Sequence, residues 1–268
     1  MDIYYLYNSG FTVVADGVAL VIDYCRGGLS DRWRMPLPLP PPHYRQALVL
    51  CSHAHGDHFV KGIFTWLDER PDISFMLSSD IAPLARKATP TAPPQNIRYL
   101  DPGDEAQEGG ARVRAFGSTD EGISFLVDLP APQGAAPPRE GGEPAPPGLR
   151  LFHAGDLNFW HWSEESTQAE VEEARAAFVA ELAKIKDACE TGPDAADGRI
   201  DAAFFPVDPR MGADYYRGAV MFCEALRPKL FVPMHFGAKF DPPRAFYDEV
   251  APYAKVARIV GRNMPIAQ

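Results

Sequence analysis

The sequence is poor in the features that mark disulfide-rich, exported and membrane proteins. Its 268 residues include only 4 cysteines, which lie far apart and form no Cys-x-x-Cys pair, so neither a disulfide framework nor a thiolate zinc site is predicted. No apolar run approaches the roughly 18–20 residues that span a bilayer. The first residues lack the cationic and apolar regions of a signal peptide. The sequence therefore predicts a soluble, cytoplasmic protein with no membrane partner.

Basic residues are also scarce. The chain has 26 Lys and Arg against 36 Asp and Glu, which gives a formal net charge of −10. A protein that binds a phosphate backbone needs a basic surface that displaces counterions, so we expect no nucleic-acid partner. Apolar residues make up 46% of the chain, which is enough to fill a sizeable core.

Proline, in contrast, is abundant and unevenly placed. Of the 27 prolines, five lie in residues 36–42 and seven in residues 130–148. Because proline fixes φ and removes a backbone donor, neither stretch is expected inside a helix or strand. Strand-like runs at residues 123–129 and 149–153 flank the second stretch. They favour a Pro/Gly-rich surface insertion within a single domain of residues 1–268, with a domain linker as the alternative.

The rest of the chain shows strands in its first half and a mixture of strands and helices later. Apolar runs on both sides of Asp16-Gly17 predict a hairpin over residues 10–24. Further apolar runs predict strands at residues 46–52, 73–77, 111–116, 201–207, 229–234 and 256–260. Helices are predicted at residues 56–69, from Ser163 onward, at residues 214–226 and at residues 244–253.

Four potential metal ligands occupy six consecutive residues, directly after a predicted strand: His53, His55, Asp57 and His58. Imidazole and carboxylate are the ligand types that zinc and similar divalent ions prefer. His53 and His55 alternate as residues leaving a strand do, so both can face one point. A surface loop that merely contains histidines is the alternative, but three histidines and an aspartate at this spacing favour a metal site.

The spacing His53-x-His55-x-Asp57-His58 resembles the signature motif of the metallo-β-lactamase superfamily, a group of metal-dependent hydrolases. The resemblance implies an α/β fold, namely a four-layer αββα sandwich. It also implies that His53 and His55 bind one ion, while Asp57 and His58 bind a second.

Later segments extend this resemblance along almost the whole chain. Residues 152–156 resemble the family's "HxGD" strand end, which implies that Asp156 bridges two ions. Residues 230–236 resemble its "PxH" strand end, which implies that His235 completes the second site. Taken alone, Asp156 could be a turn cap and His235 a core histidine, but their order after the first motif favours ligands. The form of both segments is similar to the lactonase-like and phosphodiesterase-like branch.

One family ligand is missing. The family supplies a further histidine for the first ion, and the corresponding residues 115–125 contain none. Asp120 is the nearest side chain able to bind a metal, so we hypothesise that it replaces the histidine. In the alternative, Asp120 only shapes a turn. An additional carboxylate would shift the preference of the site from zinc toward manganese or iron.

The resemblance implies a binuclear hydrolase with two divalent ions, zinc before manganese or iron. A metal-bound hydroxide would attack a small-molecule ester, lactone or phosphoester, with Asp57 and Asp156 as the catalytic carboxylates. Three residues are candidates for binding the substrate: His161, Arg210 and Lys239. The alternative for His161 is packing beside its neighbouring tryptophans, and that for Arg210 is an ion pair with Asp208 or Asp214.

Two other functions share these motifs. A nuclease of the ribonuclease Z kind is one, although the acidic composition argues against it. A metal-binding domain without catalysis is the other, and the missing histidine is what favours it. Because two bound cations would bring positive charge into the pocket, the overall acidity does not exclude an anionic small-molecule substrate.

Overall fold

The computed structural model describes residues 1–15, 17–25, 44–88, 95–131, 148–162, 164–191, 198–237, 240–262 and 264–266. Asp16 of the predicted hairpin turn and most of both proline-rich stretches lie outside these ranges. Within them, no helix is both long and apolar enough to cross a membrane.

Thirteen strands in the described residues form two sheets. The first sheet contains six strands, in the order β1-β2-β3-β4-β5-β6: β1 (Asp2–Tyr7), β2 (Gly10–Ala15), β3 (Val18–Ile22), β4 (Gln46–Cys51), β5 (Ser74–Ser78) and β6 (Ile97–Leu100). The second contains seven, in the order β13-β12-β11-β10-β9-β8-β7: β7 (Glu105–Glu108), β8 (Ala111–Phe116), β9 (Ser124–Asp128), β10 (Arg150–His153), β11 (Ala202–Pro206), β12 (Leu230–Met234) and β13 (Lys255–Val256).

Helices cover the outer face of each sheet. A 3-10 helix (Lys61–Asp68) and α1 (Ala82–Ala88) lie on the first sheet. Three helices lie on the second: α2 (Gln168–Thr191), α3 (Arg217–Leu226) and α4 (Arg244–Val250). The four-layer αββα sandwich predicted from the resemblance is therefore confirmed.

The alternation of side chains along β4 shows how this layering arises. Leu48 and Leu50 point into the core between the two sheets. Val49 and Cys51 point to the opposite face, where they pack against the 3-10 helix and α1. Because β4 is covered on both faces, its sequence is continuously apolar instead of alternating with polar residues.

The two sheets bring the carboxyl ends of their parallel strands to a common edge. Strands β3 to β6 run parallel in the first sheet, and β10 to β13 run parallel in the second. A backbone hydrogen bond joins the sheets at this edge, where Ile123 N donates to Ser52 O over 3.0 Å. Loops that leave these strand ends therefore meet.

The strand predictions agree closely with the structure, and the helix predictions less so. The hairpin β2–β3 and the strands expected near residues 46–52, 73–77, 111–116, 201–207 and 229–234 are confirmed. Strands β9 and β10, on either side of the proline-rich insertion, pair in an antiparallel manner. The strand predicted at residues 256–260 is wrong beyond Val256, because β13 ends there, and no sequence pattern predicted β1, β6, β7 or α1.

The long helix α2 begins at Gln168, five residues after the predicted Ser163. A capping box sets this start. The Thr167 backbone N–H donates to Glu170 Oε2 over 2.7 Å, and the Glu170 N–H donates to Thr167 Oγ1 over 3.3 Å. These bonds satisfy backbone donors that a helix end leaves without partners, whereas Glu164 and Glu165 precede the helix.

Candidate metal centre

Six side chains from three strand-end loops form two adjacent groups of potential metal ligands. In each group, one ligand atom per residue lies within 4.8 Å of the others. The first group contains His53, His55 and Asp156, and the second contains Asp57, His58 and His235. The structure thus brings candidate ligands from all three family segments together in two groups.

Asp156 lies between the two groups. Its Oδ2 is 3.4 Å from Nε2 of His53. Its Oδ1 is 3.1 Å from Nε2 of His58 and 3.6 Å from Nε2 of His235. One carboxylate oxygen therefore faces each group, which is the arrangement expected of a bridging ligand.

The residues present fit a bound cation. Nε2 of His58 and Oδ1 of Asp156 are both buried and have no hydrogen-bond partner among the described residues. Leaving such groups unpaired in the interior costs about 1–3 kcal/mol each, so native proteins rarely leave them without a role. A divalent cation would satisfy both atoms, and the nitrogen and oxygen donors around them suit zinc.

A tight turn aims the ligands that follow β4. His58 N and Phe59 N both donate to His55 O, over 3.0 and 2.8 Å. Val60 is extended, with φ −134° and ψ 128°, and only beyond it does the 3-10 helix begin. The predicted helix over residues 56–69 is therefore shorter than expected, and Asp57 and His58 lie in a turn before it.

Gly155 allows the second sheet to approach this turn. It adopts a φ of 58°, and a Cβ atom there would lie 2.5 Å from Ile123 O and 2.8 Å from Ser52 Cβ. Any other residue would push the two sheets apart and move Asp156. Trp160 Nε1 donates to the backbone oxygen of Asp156 over 2.8 Å, which fixes the same loop from the solvent side.

A buried aspartate holds the motif from behind. Asp23 Oδ2 lies 2.8 Å from His58 Nδ1, and its oxygens accept from the backbone N–H and the hydroxyl of Ser52, each over 2.7 Å. This contact leaves Nε2 of His58 to face the ligand groups. The sequence analysis did not assign Asp23 a role, although a carboxylate at the end of an entirely apolar strand was the available signal.

His235 is held in a similar way. Its Nδ1 lies 3.1 Å from Asp208 Oδ2, and its Nε2 lies 3.5 Å from Asp57 Oδ2. Asn8 Nδ2 donates to the same Asp57 oxygen over 3.1 Å. Arg210 forms an ion pair with Asp208, which is the alternative named above for this residue.

A cavity of about 300 Å³ opens beside the second group. Its lining is partly aromatic and partly charged, and consists of Tyr7, Asn8, Asp57, Asp208, Pro209, Arg210, His235, Phe236 and Gly237. Arg210 is thus placed where a substrate-binding residue is needed, even though its guanidinium is paired.

The charges of the centre depend on one another. Burial lowers the pKa of His58, but Asp156 and Asp23 outweigh it and raise the pKa to about 10. Burial likewise lowers the pKa of His235, but hydrogen bonds to Asp208 and Asp57 raise it to about 9. The bond to His235 lowers the pKa of Asp57. Without metal, the protonated rings of His58 and His235 therefore neutralise the charge of the carboxylates, as a bound cation would.

The structure does not bring Asp120 into either group, contrary to the hypothesis that it replaces the missing histidine. Its side chain is exposed to solvent. The loop is fixed elsewhere, because Gly117 N donates to Glu181 Oε2 over 3.2 Å and Thr119 Oγ1 donates to Asn158 O over 2.5 Å. These bonds orient the loop so that Asp120 points outward.

Of the two other candidate substrate-binding residues, the structure describes only His161. The ring of His161 is buried and stacks on Phe159, with its Nδ1 3.0 Å from Phe159 O. It belongs to neither ligand group and is not among the described residues that line the cavity. Lys239 lies outside the described residues.

Comparisons with known proteins place this fold. No protein-family model matches the chain, and no curated protein matches it in sequence. Among solved structures, Igni18, a metallo hydrolase from the hyperthermophilic archaeon Ignicoccus hospitalis KIN4/I, is similar with a TM-score of 0.61 and 20% identity, over 100% of this chain and 98% of that one.

Two further solved structures are similar over 96% of this chain. The metallo-beta-lactamase fold protein YhfI from Bacillus subtilis has a TM-score of 0.55 and 9% identity, with 95% of its chain covered. The isothiocyanate hydrolase from Delia radicum gut bacteria has a TM-score of 0.51 and 11% identity, with 96% covered. Together with the two sheets and their common ligand-bearing edge, these likenesses show that the protein has the metallo-β-lactamase fold.

Proposed function

We propose that the protein is a metal-dependent hydrolase that binds two divalent cations, one at each ligand group. The observation that carries this proposal is a pair of buried atoms, His58 Nε2 and Asp156 Oδ1, which lie 3.1 Å apart between the two groups and form no hydrogen bond. The similar structures named for hydrolases, Igni18 and the isothiocyanate hydrolase, support hydrolytic chemistry on this fold.

Zinc is the cation that the donors favour. Each group offers two imidazoles and one carboxylate, which are donor types that catalytic zinc sites use. Manganese and iron accept the same donor types, so metal analysis of the isolated protein decides between them. When bound, such a cation lowers the pKa of a coordinated water and polarises the bond to be cleaved.

The protein's own side chains would hold the cations and orient the reacting water. Asp156 joins the two groups through its two oxygens. Asp57 is the ligand whose side chain is about half exposed (47%) and lines the cavity, so it can orient a water molecule next to a substrate. Asn8 keeps the Asp57 carboxylate in that orientation by donating to Oδ2.

The cavity supports a small-molecule substrate such as an ester, a lactone or a phosphoester. A volume of about 300 Å³ is at the lower end of ligand pockets. Tyr7, Pro209 and Phe236 provide apolar walls, while Arg210 adds a guanidinium at the rim. An anionic group on the substrate could pair with that guanidinium.

Turnover of a panel of lactones, phosphodiesters and thioesters tests this function. We expect activity that a chelator removes and that added zinc restores. The Asp57→Ala variant should lose it, while Asp248→Ala, which removes an exposed carboxylate on α4, should retain it. Two bound cations with no turnover of any substrate class would contradict the hydrolase and leave a metal-binding domain.

A further inference from the structure

Asp208 is almost completely buried, yet it lies outside both ligand groups. It is 1% exposed and follows β11, the strand beside β12, which carries His235. Its Oδ2 is 3.1 Å from His235 Nδ1. A buried carboxylate is costly unless its oxygens are paired, so its position next to a candidate ligand calls for an explanation.

Arg210 fixes the orientation of this carboxylate. Its Nε donates to Asp208 Oδ1 over 2.9 Å, and its Nη2 donates to Oδ2 over 2.5 Å. The backbone N–H of Arg210 adds a third bond, to Oδ1 over 3.0 Å. Fork-like pairing of this kind restricts the orientation of the carboxylate as well as its position. Asp208 Oδ2 therefore contacts His235 Nδ1 in one fixed orientation.

His235 has an unfavourable backbone conformation, and its ring needs a contact that fixes its rotation. His235 adopts a left-handed conformation with a φ of 59°, which is unfavourable for a residue with a Cβ atom. Its N–H donates to Asn8 O over 3.2 Å, but nothing in that bond sets the rotation of the ring. The contact with Asp208 does, because it engages Nδ1 and turns Nε2 toward Asp57 and Asp156.

The two ligand groups differ in this respect. Both histidines of the second group have a carboxylate behind them, Asp23 for His58 and Asp208 for His235. In the first group, His53 Nδ1 meets the Ser52 hydroxyl at 3.0 Å, and among the described residues no carboxylate hydrogen-bonds to that nitrogen. Carboxylates that accept from a ligand histidine raise its donor strength and are typically worth 10–100-fold in metal affinity.

We propose that Asp208, locked in place by Arg210, is a positioning residue that orients His235 and makes the group of Asp57, His58 and His235 the tighter of the two cation sites. The proposal rests on the proposed function in requiring a cation at each group. It assigns Arg210 to the support of His235 in addition to any contact with a substrate.

Zinc titration of the metal-stripped, full-length protein against a chromophoric chelator tests this. We expect two binding events in the unaltered protein. Asp208→Ala should weaken the tighter event by about 10–100-fold and leave the weaker one within about twofold. Asp208→Asn, which keeps the shape but loses the charge, should lie between, and Arg210→Ala should weaken the same event by less than Asp208→Ala.

Asp214→Asn is the matched control, since Asp214 lies on the same loop and is exposed. It should change neither event. Cobalt absorption spectra provide a second measurement, because a rotated His235 alters the ligand field of one ion, whereas a purely structural role for Asp208 would not. If Asp208→Ala does not fold, as judged by circular dichroism of the metal-free protein, Asp208→Asn decides.

Equal weakening of both events, or no weakening of either, would overturn the role of Asp208. Selective weakening without hydrolysis of any substrate would support the role of Asp208 and contradict the proposed function. Normal hydrolysis with unchanged metal affinities in both Asp208 variants would do the reverse.

Discussion

Two buried clusters of charged side chains lie at opposite ends of β10, and they differ in how completely their carboxylates are paired. At the start of the strand, Asp128 accepts from Arg150 Nε over 2.6 Å and from Arg114 Nη2 over 2.8 Å, one bond to each oxygen. Beyond its end, Asp156 Oδ1 and His58 Nε2 have no hydrogen-bond partner. Both carboxylates are largely buried, so exposure to solvent does not explain the difference in their hydrogen bonding. We infer that the two clusters have different roles.

The Asp128 cluster serves the fold. Arg114 and Arg150 also donate to the backbone oxygens of Ala188 and Cys189, over 3.0 and 3.3 Å. These residues lie in the last turn of α2, where carbonyl groups lack helical partners and cations are favourable. The cluster attaches the long helix to the sheet, whereas the candidate metal centre contains a buried nitrogen and a buried oxygen that make no hydrogen bond.

Asp156→Asn should have the largest effect on function. It removes the one carboxylate among the described residues that faces both ligand groups, so we expect activity and the affinity for at least one cation to fall by more than about 100-fold, beyond the loss typical of an outer partner. Circular dichroism should show a folded protein. Unchanged zinc stoichiometry, measured by elemental analysis, would contradict the bridging position.

Asp128→Ala should have the largest effect on stability. It leaves two buried guanidinium groups without their carboxylate, and breaking a buried pair in this way costs about 3–5 kcal/mol. Urea denaturation measures the loss. Zinc stoichiometry should not change, because the cluster lies at the other end of β10. A loss of metal without a loss of stability would remove the contrast between the two clusters.

The affinity of the metal centre should rise with pH. Without metal, His58 and His235 have pKa values of about 10 and about 9, so both carry a proton at pH 7 that a cation must displace. We expect the apparent affinity to increase by about tenfold per pH unit for each proton released, up to about pH 9. Calorimetry in buffers of different ionisation enthalpy counts the protons. A flat profile between pH 6 and 8 would contradict this charge assignment.

Asp120→Ala should have the smallest effect. Because this carboxylate is exposed and belongs to neither group, zinc stoichiometry and affinity should stay within about twofold of the unaltered protein. Loss of one cation in this variant would restore the hypothesis that Asp120 substitutes for the missing histidine. The comparison with Asp156→Asn separates a residue near the motif in sequence from a residue in the site.

The grouping of the candidate ligands could be expected from the sequence because these residues follow apolar strands at short, fixed spacing. His53, His55 and His58 need only the end of β4 and one turn to converge. Asp156 and His235 need the sheet order as well, which the resemblance supplied. Asp23 also follows an apolar strand, but its role depends on a contact in the fold, where His58 Nδ1 lies 2.8 Å from its Oδ2.

Long-range packing decides what the sequence does not reveal. Asp120 has the right residue type at nearly the right position, yet bonds from Gly117 to Glu181 and from Thr119 to Asn158 turn its loop outward. Arg210 could pair with either of two nearby aspartates, and only the fold selects Asp208. The two loop bonds depend on partners 64 and 39 residues away in the chain, which no local pattern specifies.

The common edge of the two sheets has a consequence for how the protein folds. One part of the ligand set follows β4 in the first sheet, and the rest follows β10 and β12 in the second. Neither half of the chain carries a complete site, so a cation can find its full set of donors only after the halves have docked. The rate of metal uptake during refolding would therefore report the rate at which the two sheets dock. A bound ion would also slow the separation of the sheets during unfolding.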